Sequence, residues 1–213
     1  MRSLLEFRLL GPLEVIGDEG TALAIGTGRQ RALLALLILR ANELVSSDRL
    51  VEELWGASPP ATAPKMLHNQ VCALRQALGR DGRLETRGSA YRLNVGLDER
   101  DLDRFEGLVA RGRAAEPEQA AESLRLALDL WRGAPFADLA FEPFAQTEIM
   151  RLGERRWAVF EAWVEAELTL GRHADLVAEL EVAVAAQPLR ERLHGALMLA
   201  LYRCGRQADA LDA

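Results

Sequence analysis

The 213-residue sequence has few of the features that mark membrane-bound, secreted or disulfide-stapled proteins. It contains no apolar run of about 18 residues, the length that a membrane-spanning helix needs. Its two cysteines, Cys72 and Cys204, lie far apart and outside any CxxC pair, which argues against a disulfide framework and a zinc site. Glu6 and Arg8 interrupt the apolar N-terminus, which a secretory signal would keep uncharged, so we expect a cytoplasmic protein.

Sequence motifs of catalysis are also missing. The chain holds no GxxxxGK(S/T) phosphate loop, no GxSxG nucleophile elbow and no HExxH zinc motif. His173 and His194 are 21 residues apart, which is not a local chelating spacing. We therefore predict that the protein is not an enzyme and has neither a cofactor nor a bound metal.

The net charge of −6 is unevenly distributed along the chain. Residues 1–96 hold 12 Lys and Arg against 10 Asp and Glu, whereas residues 97–213 hold 14 against 22. Between Lys65 and Arg92 there are six basic residues and only two acidic ones, Asp81 and Glu85. DNA binding requires a local basic face rather than a basic chain, so this segment remains compatible with it.

The first half of the chain alternates between strand and helix patterns. Leu5, Phe7 and Leu9 alternate with charged residues, which is typical of a half-buried strand. Further strands are predicted around Leu13 and Val15, then from Leu23 to Ile25 after a turn at residues 17–20. Two helices follow, one over 28–40 and one from Ser46 or Ser47 to Trp55, for which Ser47 is the candidate N-cap. A rigid proline loop over 58–64 leads to a third helix, from Pro64 or Lys65 to Leu78. Two further strands are predicted over 83–86 and 91–93.

The third of these helices is strongly two-sided. Its apolar residues recur at the spacing of one helix face and are Leu67, Val71, Leu74 and Leu78. The opposite face is left with Lys65, His68, Asn69, Cys72, Arg75 and Gln76. Such a face is either a solvated amphipathic surface or a surface that meets a polar partner.

Residues 97–213 show a helical, alanine-rich pattern throughout, with helices expected near 101–115, 117–132, 142–170, 174–186, 190–203 and from 206 onward. Leu170-Gly171-Arg172-His173-Ala174-Asp175 recurs as Cys204-Gly205-Arg206-Gln207-Ala208-Asp209, an offset of 34 residues. That offset is the period of tetratricopeptide repeats, whose units bury their apolar faces by stacking. Because the last copy breaks off at Ala213, we expect the chain to be truncated at its C-terminus.

Several sequence landmarks in the two halves of the chain occur together in one combination. In the first half they are Gly28-Arg29-Gln30-Arg31-Ala32-Leu33-Leu34, Leu50-Val51-Glu52-Glu53-Leu54-Trp55-Gly56, Val71-Cys72-Ala73-Leu74-Arg75-Gln76-Ala77-Leu78-Gly79 and Tyr91-Arg92-Leu93. In the second half they are Leu130-Trp131-Arg132-Gly133, Glu142-Pro143-Phe144-Ala145 and Arg190-Glu191-Arg192-Leu193. Taken together, these landmarks resemble the SARP family of antibiotic-pathway activators, and the resemblance covers essentially the whole chain.

The resemblance implies an α+β winged helix-turn-helix domain followed by an all-α tetratricopeptide-like helical domain. The expected boundaries are 1–96 for an OmpR-type DNA-binding domain and 97–213 for a bacterial transcriptional activation domain. The implied function is sequence-specific transcription activation, with a homodimer on direct repeats of double-stranded DNA and contact with RNA polymerase, for secondary-metabolite genes. In OmpR-type activators the loop corresponding to Gly56–Pro64 can face the polymerase.

The resemblance also implies a set of DNA-contacting residues: Lys65, His68, Asn69, Gln70, Cys72, Ala73, Arg75 and Gln76 on the third helix, and Arg87 in the wing. Lys65 and Arg75 are expected on phosphates, and His68, Asn69 and Ala73 on base edges. Arg87 suits a narrow minor groove.

The sequence departs from the family pattern at two places. Ala73 stands where the wider class often has arginine, and Ser89-Ala90 replaces the Pro-Gly or Thr-Gly that usually precedes the wing tyrosine. The role of Arg87 stays open for that reason. An alternative function is a protein-interaction scaffold that uses the tetratricopeptide-like domain without reading DNA.

Overall fold

The computed structural model describes residues 5–26, 28–79 and 82–213. The chain up to Arg104 forms one compact unit together with Leu130–Gly153, and Phe105–Asp129 forms a second unit with Glu154–Ala213. The first unit thus takes in a segment that the sequence assigns to the helical half. The domain boundary after residue 96 stays a prediction.

The N-terminal part of the first unit has the winged-helix architecture that the sequence predicts. Its elements are β1 (Glu6–Arg8), β2 (Glu14–Ile16), a 3-10 turn (Asp18–Gly20), α1 (Arg29–Leu39), β3 (Val45–Ser46), α2 (Ser47–Trp55), α3 (Ala63–Ala77), β4 (Leu84–Arg87) and β5 (Ala90–Leu93). Strands β1 and β2 form an antiparallel pair in which Phe7 lies opposite Val15. The other three strands form a sheet in the order β3-β5-β4, with antiparallel neighbours.

Helix α1 is the centre of this core. Seven consecutive residues, Ala32 to Ile38, are at most 2% exposed. A helix that is apolar all round must be covered all round, and α2 and α3 both pack on α1. The helix-turn-helix pair therefore rests on α1.

The prediction of a strand over Leu23–Ile25 is wrong. Among the described residues, this segment is joined to the first sheet by one isolated bridge, between Ile16 and Ala22, and the residues that follow Ala22 in this segment form no strand. The amide of Leu23 donates to the carbonyl of Val15 at 2.8 Å, but the amide of Ile25 donates back to the carbonyl of Leu23. A hydrogen bond between residues i and i+2 closes a tight turn, which bends the chain away from the sheet.

The start of α2 also differs in detail from the prediction. Ser46, rather than Ser47, is the N-cap: its backbone is extended and its hydroxyl accepts a hydrogen bond from the amide of Arg49 at 3.3 Å. Ser47 is the first helical residue. Strand β3 was not predicted, because two residues are too few to show an alternating pattern.

The segment following Asp129 is bonded to the connection between β1 and β2 and to α1 of the first unit. The amide of Arg132 donates to the carbonyl of Leu10 at 2.8 Å. The carboxylate of Asp138 accepts from the amide of Leu13 at 2.8 Å and from the guanidinium of Arg31 at 2.7 Å. These contacts explain why residues 130–153 belong to this unit, which no local sequence pattern indicates.

Asp101 is the most deeply buried carboxylate of the described chain, with 2% of its surface exposed. Its oxygens accept hydrogen bonds from the amides of Leu9 and Leu10 at 2.8–2.9 Å, while Arg132 lies 3.8 Å away. Burial raises the pKa of Asp101 above its ordinary value, although the two amides and Arg132 oppose that shift. The carboxylate thereby supplies the hydrogen-bond acceptor that these two buried amides would otherwise lack.

The remainder of the chain is helical, as predicted. Its helices are α4 (Asp101–Arg113), α5 (Pro117–Asp129), α6 (Pro143–Thr169), α7 (His173–Ala186), α8 (Glu191–Arg203) and α9 (Gln207–Asp212), with a 3-10 turn at Ala137–Leu139. In the second unit α7 packs on α8, and α8 packs on α9. Over the described residues, no helix combines the length and the apolar content that membrane crossing needs.

The 34-residue sequence repeat is also a repeat of backbone geometry. Gly171 and Gly205 have φ values of +81° and +78°, which favour glycine. The next residue in each copy, Arg172 or Arg206, donates its amide to a carbonyl five residues earlier, at 3.1 and 2.9 Å. This is the Schellman ending of a helix, formed twice in the same way. The assignment to the tetratricopeptide class stays a prediction.

We predict that Asp101→Ala destabilises the protein by about 2–4 kcal/mol, because two buried amides lose their acceptor. Asp103→Ala is the matched control. Asp103 lies in the same first turn of α4, but its side chain is 36% exposed and pairs with Arg100 at the surface, a pair worth at most about 1 kcal/mol. Urea unfolding followed by tryptophan fluorescence measures both variants, and equal unfolding midpoints would contradict the role given to Asp101.

Candidate nucleic-acid interface

Helix α3 has the two faces that the sequence predicts. Leu67, Val71, Leu74 and Leu78 are at most 3% exposed and form the inner row. The helix begins at Ala63, one or two residues before the predicted start, with Pro64 in its first turn, where a missing amide hydrogen costs nothing. The inner row fixes the rotation of α3 about its axis, and this decides which residues face outward.

The outer face carries most of the residues predicted to contact DNA. Lys65, His68, Asn69, Cys72 and Gln76 are exposed and follow one another at the spacing of a single helix face. Gln70, Ala73 and Arg75 are half-buried at the edges of this stripe. The Sγ of Cys72 lies 3.6 Å from Nε2 of His68, one turn earlier. We call this exposed stripe the outer face of α3.

Arg75 is engaged within the protein. Its Nε donates to the carbonyl of Leu84 at 2.9 Å, and its Nη2 donates to the hydroxyl of Thr86. Both acceptors belong to β4. The structure therefore places Arg75 between the helix and the wing, and the phosphate contact that the resemblance implies for Arg75 stays a prediction.

The wing is a tight hairpin of β4 and β5. Arg87 pairs with Ala90 across a two-residue turn, and Gly88 has a φ of +59°. Glycine at the first central position is typical of a type II′ turn, whose twist matches that of the flanking strands. Replacement of the family's usual residues by Ser89-Ala90 therefore leaves a regular hairpin.

The tip of the wing is bonded to the start of α2. The carbonyl of Ser89 accepts hydrogen bonds from both the amide and the hydroxyl of Ser47, each at 2.7 Å. Next to the turn, the side chain of Arg87 is 61% exposed, and its nearest acid is Glu85 at 3.5 Å. Arg87 is thus presented at the end of a hairpin whose backbone is held in place.

The base of the wing is anchored by a buried ion pair. Arg83 is 3% exposed, and its two terminal nitrogens lie 2.7 and 2.9 Å from the two carboxylate oxygens of Glu99. Glu99 also accepts from the amide of Gly96 at 2.6 Å. Burial would raise the pKa of Glu99, but the hydrogen bonds from Arg83 and Gly96 outweigh it and lower the pKa below its ordinary value of 4.5.

These anchoring residues narrow the basic surface that the sequence predicts. Arg83 is buried on Glu99, and Arg92 is bonded to Glu85 at 2.7 Å. Arg80 lies outside the described residues. Lys65 and Arg87 are the exposed cations that remain of this group in the described part of the chain. Sequence reasoning missed Ser47, Arg83 and Thr86 as supports of the wing, because their partners lie in other elements.

Two family models match the chain. One, described as "Bacterial transcriptional activator domain", matches residues 100–213, and the other, described as "Transcriptional regulatory protein, C terminal", matches residues 21–93. A solved structure of Mycobacterium tuberculosis EmbR in complex with a low-affinity phosphopeptide has a TM-score of 0.91 and 36% identity, covering 99% of this chain and 57% of that chain.

Curated relatives agree with these matches. The chain is 41% identical to the regulatory protein AfsR of Streptomyces coelicolor, over 97% of this chain but only 21% of that protein. It is 38% identical to the transcriptional regulatory protein MoaR1 of Mycobacterium tuberculosis, over 98% of this chain and 70% of the relative. It is 36% identical to the regulatory protein DnrI of Streptomyces peucetius, over 98% of this chain and 82% of the relative.

Together the fold and these matches define a transcriptional regulator with an OmpR-type winged helix and an all-helical activator domain. The chain belongs to the SARP family, as AfsR, DnrI and EmbR do. Both family models describe transcriptional regulators and not enzymes, as the sequence predicts for this chain.

We predict that Glu99→Gln destabilises the protein on the order of 3 kcal/mol at pH 7, since the buried guanidinium of Arg83 loses the opposite charge of the Glu99 carboxylate. The folded-state pKa of Glu99 lies below its unfolded value. Its contribution is therefore present above about pH 4.5 and is lost as the pH falls through the folded pKa. In urea titrations the difference between wild type and variant should be nearly the same at pH 7 and pH 6 and should narrow at pH 4 and pH 3. Glu118→Gln, at a carboxylate with 72% exposure, is the control. A stability difference that does not change with pH, or an equal loss of stability in Glu118→Gln, would contradict the role of Glu99 as the partner that anchors Arg83.

Proposed function

We propose that this chain is a sequence-specific DNA-binding transcriptional activator that uses the outer face of α3 and the tip of the wing. The observation that carries the proposal is the exposure of a polar helix face, Lys65 to Gln76, beside a hairpin that presents Arg87. A helix of this kind fits the major groove, where each base pair presents a distinct pattern of donors and acceptors. A bacterial chromosome is reached in the cytoplasm, where we propose that the protein acts.

Individual roles follow from the chemistry of the side chains. Lys65 lies in the first turn of α3, and its ammonium group can neutralise a phosphate. Asn69 can bind the adenine edge bidentately, His68 can meet a base edge, and Ala73 can touch a thymine methyl group. Arg87 is a guanidinium on a narrow hairpin, which suits the minor groove of A·T-rich sequence.

Two substitutions on the outer face of α3 separate affinity from specificity. Lys65→Ala should weaken binding to all sequences alike and reduce the salt slope by about 1, because one phosphate contact is lost. Asn69→Ala should cost about 1–3 kcal/mol at one base position and relax the preference there. Fluorescence anisotropy over a salt series, with operator and base-substituted probes, measures both effects.

Arg192→Ala is the control for lost positive charge, since Arg192 lies on α8 and its side chain is 83% exposed. It should leave affinity and salt slope unchanged. If Lys65→Ala binds every probe as tightly as the wild type does, α3 is not the reading helix.

We further propose that two copies bind direct repeats in promoters of secondary-metabolite genes. Membership of the SARP family supports this. Adjacent copies on one face of the duplex require half-sites about one helical turn apart, or multiples of it. Footprinting on promoter fragments from the gene's own neighbourhood should show two equivalent protected segments at that spacing. A single protected segment, occupied by one copy at saturation, would contradict the paired arrangement.

Contact with RNA polymerase is proposed for the loop between α2 and α3. Residues 56–62 are all exposed, so this loop has surface to offer a partner. Ala57→Glu combined with Ala61→Glu should abolish activation in a purified transcription reaction and leave operator affinity unchanged. Leu97→Glu, at a side chain with 95% exposure in the same unit, is the control and should keep activation. Full activation by the double variant would rule out this loop as the contact.

A further inference from the structure

The side chain of Arg75 spans the gap between the two proposed DNA-contacting elements. It leaves α3 one turn after Cys72 and bonds to β4 through two different nitrogens. A planar guanidinium fork holds two acceptors in a fixed relative geometry, which a lysine ammonium does not do. Arg75 thus bonds the reading helix to the wing strand directly.

The two acceptors are the backbone carbonyl of Leu84 and the side-chain hydroxyl of Thr86, and both belong to β4, an outer strand of the three-stranded sheet. Leu84 and Thr86 are two residues apart in β4, and side chains alternate between the faces of a strand. Glu85 and Arg87 therefore point the other way, in agreement with their contact at 3.5 Å. Arg75 therefore bonds β4 at Leu84 and Thr86, immediately before Arg87, whose side chain leaves the strand on the face opposite to that of Thr86.

A phosphate contact would compete with this arrangement. Arg75 is half-buried, whereas Lys65, at the other end of the stripe, is exposed. To reach a phosphate with the same two nitrogens, Arg75 would have to give up both hydrogen bonds to the wing. Hydrogen bonds from a charged donor are among the stronger ones in proteins, so the folded chain disfavours that change.

We propose that Arg75 is a positioning residue, which sets the spacing between the outer face of α3 and Arg87 so that both grooves are engaged together. The proposal rests on the proposed DNA-binding function. Arg75 then adds to affinity through Arg87 rather than through a phosphate of its own. Thr86 is its partner in this role.

Hydrogen exchange on the DNA-free protein tests the contact itself. Arg75→Lys retains the charge but not the fork, and Thr86→Val retains the shape but not the acceptor. Both should speed amide exchange in the wing, residues 82–93. Arg125→Lys is the control, since the same replacement at a side chain with 45% exposure on α5 should leave wing exchange unchanged. Unchanged exchange in both Arg75→Lys and Thr86→Val would overturn the proposal.

A double-mutant cycle on operator DNA tests the role. Arg75→Lys should lower affinity about 5-fold in the wild type but less than about 2-fold when Arg87 is already alanine, because coupled residues are non-additive. Thr86→Val should lower affinity without changing the salt slope. If the effects of Arg75→Lys and Arg87→Ala on affinity are additive and Thr86→Val leaves affinity unchanged, Arg75 meets a phosphate directly and the proposal is wrong. If neither the wild type nor any variant binds a DNA duplex, the proposed function fails. The hydrogen-exchange experiment still decides whether Arg75 holds the wing.

Discussion

The inner row of α3 is the constraint on which the candidate interface depends. Leu67, Val71, Leu74 and Leu78 lie within a core centred on α1, whose residues Ala32 to Ile38 are themselves buried. Apolar burial fixes the rotation of α3 because turning the helix would exchange leucines for polar side chains inside the core. The polar stripe from Lys65 to Gln76 faces outward for that reason, independently of any partner.

The wing is held by polar contacts at three levels. Arg83 pairs with Glu99 at its base, Arg75 bonds to β4 along its length, and Ser47 bonds to the carbonyl of Ser89 at its tip. A hairpin of two four-residue strands would be marginal alone. These contacts reduce the ordering that DNA binding would otherwise require, which is the general advantage of preorganised sites.

Much of the fold could be predicted from the sequence because its signals are local. The leucine spacing of α3 and the glycines at residues 171 and 205 determine structure over a few turns, and the structure shows them in place. What the sequence could not show depends on distant partners. The burial of Arg83, the bonding of Arg75 to β4 and the attachment of Asp138 to Leu13 each join residues from different elements. Composition alone counts Arg83 and Arg75 in a local basic segment, whereas their bonds to Glu99 and to β4 are visible only in the structure.

Alkylation of the two exposed cysteines tests directly whether the outer face of α3 contacts DNA. Cys72 lies on that face, and Cys204 lies at the end of α8. The rate of alkylation at each thiol would be measured by mass spectrometry, with and without a saturating operator duplex. If the outer face of α3 occupies the major groove, DNA should slow the alkylation of Cys72 severely and leave that of Cys204 unchanged. Alkylation of Cys72 at its free rate, on protein shown to be fully bound to the duplex, would contradict this account.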